Sequence, residues 1–179
     1  MQTIIGFRTE YKFPTSQSYF TLELKPRQDT YYILEATNDP YGKFYRSTTT
    51  ATPPGTAVTV ADTYDNRFKF SIMFAKRWGD AVLRMGLIES EGGIGGDYFL
   101  LNDKVKVSLD AWNFNSNEPN NENTHMKATV NYMLGKTLFV NGGYDNFLNT
   151  KRAAGFVGIG LRFDDEDLKY LMGSVPIPK

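Results

Sequence analysis

The chain has 179 residues, with 20 Lys+Arg against 20 Asp+Glu, no Cys and a single His, His125. This excludes disulfides, thiol chemistry, cysteine zinc sites and multi-histidine metal sites, and the balanced charge offers no basic footprint for nucleic acid. Hydrophobic residues are 41% of the chain, and no apolar run approaches the roughly 20 residues of a membrane-crossing helix.

The N-terminal Met1-Gln2-Thr3-Ile4 has neither the basic nor the apolar region of a signal peptide. A secreted form is therefore expected to have lost its signal or to belong to a longer chain. From there, alternation predicts ten strands: 3–13, 17–26, 30–50, 56–77, 81–89, 94–101, 104–114, 124–134, 137–147 and 154–163. The first sets Ile5, Phe7, Thr9 and Tyr11 against Arg8, Glu10 and Lys12, and the second sets Phe20, Leu22 and Leu24 against Thr21, Glu23 and Lys25. The third and fourth are long enough to project as one hairpin. Within the third, Asp39-Pro40-Tyr41-Gly42 should form a bulge or turn, because proline cannot donate in the ladder.

Tight polar turns are expected at Pro26–Thr30, Arg77–Asp80, Leu101–Lys104 and Leu134–Lys136. Connections that are often longer are expected at Pro14–Gln17, around Pro53-Pro54-Gly55, at Glu89–Gly93, at Asn115–Thr124 and at Asn146–Ala153. Glu89–Asp97 lacks the Lys-Ser/Thr of a phosphate loop and the spaced acids of an EF-hand, and reads as a glycine-rich hairpin tip with Asp97 paired in the lumen. In the seventh strand Val105, Val107, Leu109 and Ala111 oppose Lys106, Ser108, Asp110 and Trp112; in the eighth Met126, Ala128, Val130 and Tyr132 oppose His125, Lys127, Thr129 and Asn131. The last sets Val157, Ile159, Leu161 and Phe163 against Gly158, Gly160 and Arg162. Asp164-Asp165-Glu166-Asp167 then suits the first turn of a short helix, ended by Pro176 and Pro178.

Which face points inward decides the class. Apolar faces inside would make a soluble, lipocalin-like barrel holding an apolar ligand. Apolar faces outside would make a membrane barrel with a polar lumen. The polar faces carry glycines, which suit a crowded lumen. Aromatic rings cluster near strand ends as interface girdles do: Tyr11, Phe13, Tyr19, Tyr31, Tyr32, Trp78, Trp112, Phe114, Tyr132, Tyr144, Phe147 and Phe163. The expected fold is thus all-β, an up-and-down antiparallel transmembrane β-barrel of about ten strands over 1–163, with a tail over 164–179. An even strand number puts both ends on the short-turn side.

The lumen is expected to hold a polar network of Arg8, Glu10, Lys12, Glu23, Lys25, Glu35, Lys69, Arg84, Asp97, Lys106, Asp110, Lys127, Asp145 and Arg162. Such charges would pair, leaving no open pore and no path for an acyl chain. Facing the membrane or its girdles are Phe7, Tyr11, Phe20, Leu22, Tyr32, Trp78, Val107, Leu109, Val130, Tyr132, Tyr144, Ile159, Leu161 and Phe163. His125 could serve as a hydrolase base only with a carboxylate and a nucleophile in reach; a rim residue is the plainer reading. No enzyme activity, metal or cofactor is expected.

The stretches Ile5–Tyr11, Lys25–Glu35, Phe68–Ser71 with Phe74–Arg77, Gly86–Ser90 with Gly92–Gly95, and Phe156–Leu171 resemble the C-terminal region of bacterial MCE (mammalian cell entry, MlaD-like) proteins. The resemblance implies a Gram-negative outer-membrane barrel that docks a phospholipid shuttle, with membrane phospholipid and a periplasmic MCE-domain portion as partners. The rival readings are a soluble lipocalin-like lipid-binding barrel, an outer-membrane enzyme acting on lipid or protein, and a small porin.

Overall fold

The computed structural model describes residues 2–12, 15–38, 43–49, 59–65, 68–115, 123–167 and 169, with backbone alone for 43–49 and 59–65. Twelve strands follow in order: β1 (Gln2–Lys12), β2 (Thr15–Arg27), β3 (Thr30–Asn38), β4 (Lys43–Thr49), β5 (Thr59–Asp65), β6 (Phe68–Trp78), β7 (Ala81–Ile88), β8 (Glu91–Leu100), β9 (Val105–Trp112), β10 (His125–Met133), β11 (Leu138–Asp145) and β12 (Ala154–Asp164). Ten of them close a barrel in which every neighbour is antiparallel and β12 returns to β1, from Ile4 opposite Asp164 to Tyr11 opposite Val157. β4 and β5 form a separate two-stranded sheet. The expected third and fourth strands are therefore each two, β3 with β4 and β5 with β6, and the barrel still has ten. The Asp39–Gly42 bulge or turn lies outside the described residues, as do Phe13, Pro53–Gly55 and the tail beyond Lys169.

β1 begins and β12 ends at the rim where the short turns lie. At the opposite rim two connections are tighter than their composition suggests. Only residues 13 and 14 separate β1 from β2, and Glu89-Ser90 alone joins β7 to β8, with φ of 49° and 70°. Two successive left-handed residues match the right-handed twist of a two-residue hairpin, so the glycines after Glu89 extend strand β8 instead of a loop. Pro26 sits where β2 slips register against β3, between Leu24 and Arg27. A bulge there spares the ladder the amide that proline lacks.

Inward and outward residues alternate on all ten barrel strands, and small residues let the lumen fill. A Cβ on Gly143 would lie 2.0 Å from the Ala128 carbonyl oxygen, and one on Gly95 would lie 2.1 Å from Asp110 Oδ1. Gly135, in the β10–β11 turn, has open space around it. Replacing Gly143 with Ala is expected to lower stability by about 1–3 kcal/mol, because strands β10 and β11 must separate, while Gly135→Ala leaves it unchanged. Urea unfolding of the two variants checks this.

Candidate functional site

The inward face carries three linked polar clusters stacked along the barrel axis. At the centre Glu10 is wholly buried, accepting hydrogen bonds from Lys127 Nζ at 2.6 Å and Asn141 Nδ2 at 2.8 Å and pairing with Arg8 Nε at 3.1 Å. Lys127 also donates to the Tyr19 hydroxyl at 3.0 Å, and the Arg8 guanidinium lies 4.0 Å over the Tyr19 ring. Arg8 reaches Glu35 at 3.6 Å, and Thr21 donates to the same carboxylate at 2.9 Å. On the opposite wall one Arg84 nitrogen meets Asp97 and Asp110, each at 2.8 Å.

Toward the rim of the β1–β2 and β7–β8 turns, Lys12 bridges Asp145 at 2.5 Å and Gln17 at 2.6 Å. Glu89 accepts from Gln17 at 3.3 Å and pairs with Lys69 at 3.3 Å. Burial raises the Glu89 pKa, but Lys69, His125 and Lys12 outweigh it and hold the carboxyl below its ordinary value. His125 is bound to Asp145 at 2.9 Å and stacks on Trp112 at 4.0 Å. None of the described hydrogen bonds joins it to a hydroxyl nucleophile.

At the short-turn rim Arg77 grips Asp103 through two bonds of 2.8 and 2.9 Å and donates to the Gly79 carbonyl at 2.7 Å, so the β6–β7 and β8–β9 turns are tied together. Leu101, Asn102 and Asp103 are all left-handed, a costly run for residues with side chains, and the Arg77 grip holds it. Glu23 is shared loosely by Arg162 at 3.6 Å and Lys25 at 3.8 Å. A cavity of about 220 Å³ opens inside, lined by Lys25, Lys106 and Arg162 among others. That is below the roughly 300–1,000 Å³ of small-molecule pockets.

All fourteen residues expected in the lumen lie on the inward face, and those expected outside lie on the outward face. The girdle expectation needs correction at Tyr19, Tyr31 and Trp112, which are buried inside the barrel. Each shares parity with lumen charges on its own strand, Tyr19 with Glu23, Tyr31 with Glu35 and Trp112 with Asp110. Parity thus overrides position near a strand end, and it was the signal that could have placed them. Outside, every barrel strand contributes apolar side chains. Phe7 stacks on Phe20 and Tyr32 on Phe74, with ring centres 5.0 and 5.8 Å apart, and Ile159 and Val157 remain 55% and 66% exposed.

A closed antiparallel barrel, with charges within and an apolar belt without, defines the class of this domain by geometry. Over residues 3–170 it matches the model of a lipocalin-like domain, and the chain belongs to that family. It is 32% identical over 187 residues to an uncharacterized protein of Aquifex aeolicus (strain VF5), covering 99% of this chain and 55% of the relative. The chain thus spans about half the length of the curated relative it matches. No solved structure matches it. These matches overturn the MCE and MlaD-like resemblance, and the shuttle-docking and outer-membrane assignments drawn from it fall with it. The quoted motifs are largely alternating strand segments, which any barrel of this patterning repeats.

Two outcomes follow from the pairing. Glu10→Ala leaves Arg8 and Lys127 without their shared counter-charge and is expected to cost about 3–5 kcal/mol, more than Glu10→Gln, in urea unfolding. The Arg77 hydrogen bonds hold the Asp103 carboxyl below its ordinary value. Its contribution is therefore full above the unfolded pKa of about 3.9 and is lost as pH falls through the lower folded value. Asp103→Asn should destabilise at pH 7, and the gap from the parent should close in strong acid, as thermal unfolding across pH would show.

Proposed function

We propose that this lipocalin-like barrel is a non-enzymatic lipid-binding domain that meets lipid on its outer surface, seated in a bilayer. The observation that carries the reading is the belt of apolar side chains around all ten strands: Phe7, Leu34, Ile72, Met85, Leu109, Val130 and Ile159 are exposed. Monomeric proteins in water rarely leave a contiguous apolar surface beyond a few hundred Å² uncovered. Barrel strands of eight to thirteen residues bracket the roughly 9–11 of a tilted membrane strand. Exposed rings sit toward both rims, Tyr11, Phe68 and Tyr144 at one and Tyr32, Trp78 and Tyr98 at the other. Rings with a polar edge favour that level of a bilayer.

Family membership favours a second reading, a barrel free in water with its lipid inside. The lumen opposes an acyl chain. Inserting one would strip partners from Glu10, Arg84 and Lys127, and an unpaired buried charge is among the most expensive groups in a protein.

The two readings separate on folding with and without detergent. A band whose gel mobility changes on boiling, and that forms only with detergent or vesicles, is the expected result. A monodisperse barrel in plain buffer with co-purified lipid would replace it with the carrier reading. Leu109→Lys on the belt is expected to cost about 2–4 kcal/mol in vesicles, as cations do on the lipid face of a barrel, and little or nothing if the belt faces water. Unfolding titrations of vesicle-bound protein measure this.

A further inference from the structure

The lumen's ion pairs are not uniformly balanced. Arg84 has two carboxylates at 2.8 Å, Lys127 and Arg8 share Glu10 with Glu35 in support, and Lys12 and Lys69 each have a buried acid. At the short-turn rim, by contrast, Lys25, Lys106 and Arg162 face Glu23, and the only further carboxylate inside that Lys106 faces is Asp97, already held by Arg84 at 2.8 Å among the described residues. Its contacts to Arg162 and Lys25 are long, 3.6 and 3.8 Å, and Lys106 forms no ion pair among the described residues. Asp103, a further acid nearby, is occupied by both arms of Arg77.

Asp164 and Asp167 border the recess just outside, together with Lys25 and Arg162. Asp164 Oδ1 accepts the backbone amides of Glu166 and Asp167 at 3.0 and 3.1 Å, and Lys136 adds a further cation there. The three cations come from β2, β9 and β12. Strand β9 lies across the barrel from β2 and three strands from β12, so the cations converge on the cavity from different sides.

We propose that this rim of the lumen is a phosphate-binding site, in which Lys25, Lys106 and Arg162 take an anion that Glu23 alone does not replace. Three donors from different sides suit a tetrahedral anion with several acceptor oxygens, and the guanidinium adds paired donors. The phosphate has two chemical sources, a lipid headgroup or a free phosphate. The headgroup source rests on the bilayer reading, which puts this rim at headgroup level; the site itself does not.

The test uses the whole chain in uncharged detergent. Inorganic phosphate is titrated by calorimetry, and micelles doped with phosphatidic acid are compared with undoped ones. Saturable binding is expected. Lys25→Gln and Lys106→Gln should each weaken it tenfold or more, and Lys106→Arg should restore it. Lys106→Gln should cost phosphate binding tenfold while moving the urea midpoint little, whereas a merely structural lysine would move the midpoint and not the binding. Inorganic phosphate bound as well as phosphatidic acid supports a free phosphate; phosphatidic acid bound at least tenfold better supports the headgroup. Failure of both probes to bind the parent, or equal binding by the Lys25→Gln/Lys106→Gln double variant, overturns the proposal. A chain that needs no detergent would defeat the bilayer reading while leaving the inorganic phosphate arm intact.

Discussion

The wholly buried Glu10 carboxylate is the constraint on which most of this barrel depends. It sits on β1 and takes Lys127 from β10 and Asn141 from β11, so one side chain ties three strands. A slip of one residue along any of them would turn its inward set to the outside. Glu10 would then face the exterior and two cations would be left buried without it. The apolar belt is the complement of the same constraint. Once the charges are committed to the lumen, alternation obliges Phe7, Ile159 and Val130 to point away from it.

This arrangement inverts the usual use of a small barrel. In a carrier barrel the apolar side chains line the cavity and the charges meet water. Here the sheet closes likewise, but the lining is rich in ionic groups, and the cavity that remains is small. Family membership therefore describes the sheet better than it describes the ligand. The chemistry of the lining has to be read from the residues that point inward.

Much of the fold was legible because the side-chain period of a strand is two. Lys106, Ser108, Asp110 and Trp112 declare one face of β9 without any structural information, and the ten-strand count survives the splitting of two long segments. Connections were harder. Glu89-Ser90-Glu91-Gly92-Gly93 has loop composition, yet two left-handed residues make the whole reversal and the glycines pack within β8. Composition reports what a backbone can do, not how few residues it needs. Partners within the lumen were out of reach altogether. Glu10 and Lys127 are 117 positions apart, and Lys12 and Asp145 are 133 apart. Pattern shows that both point inward, but only closure shows that they meet. The same limit misled the family resemblance, since alternating segments such as Val157–Phe163 carry the grammar of a barrel more than its ancestry.

The β1–β12 seam has a consequence for how the chain reaches this state. Most other seams in the barrel join strands that follow each other directly, and these can zip from a turn outward. The last seam brings Ile4 to Asp164, with nearly the whole chain between them. The entropy of loop closure grows with the logarithm of length, so this step costs about 3 kcal/mol more than closing a five-residue hairpin. The Glu10 cluster can assemble only when that seam shuts, which couples the most expensive closure to the strongest internal electrostatics. Folding should thus end in one late, cooperative step, before which the open sheet carries two unpaired edges and its charges remain in water.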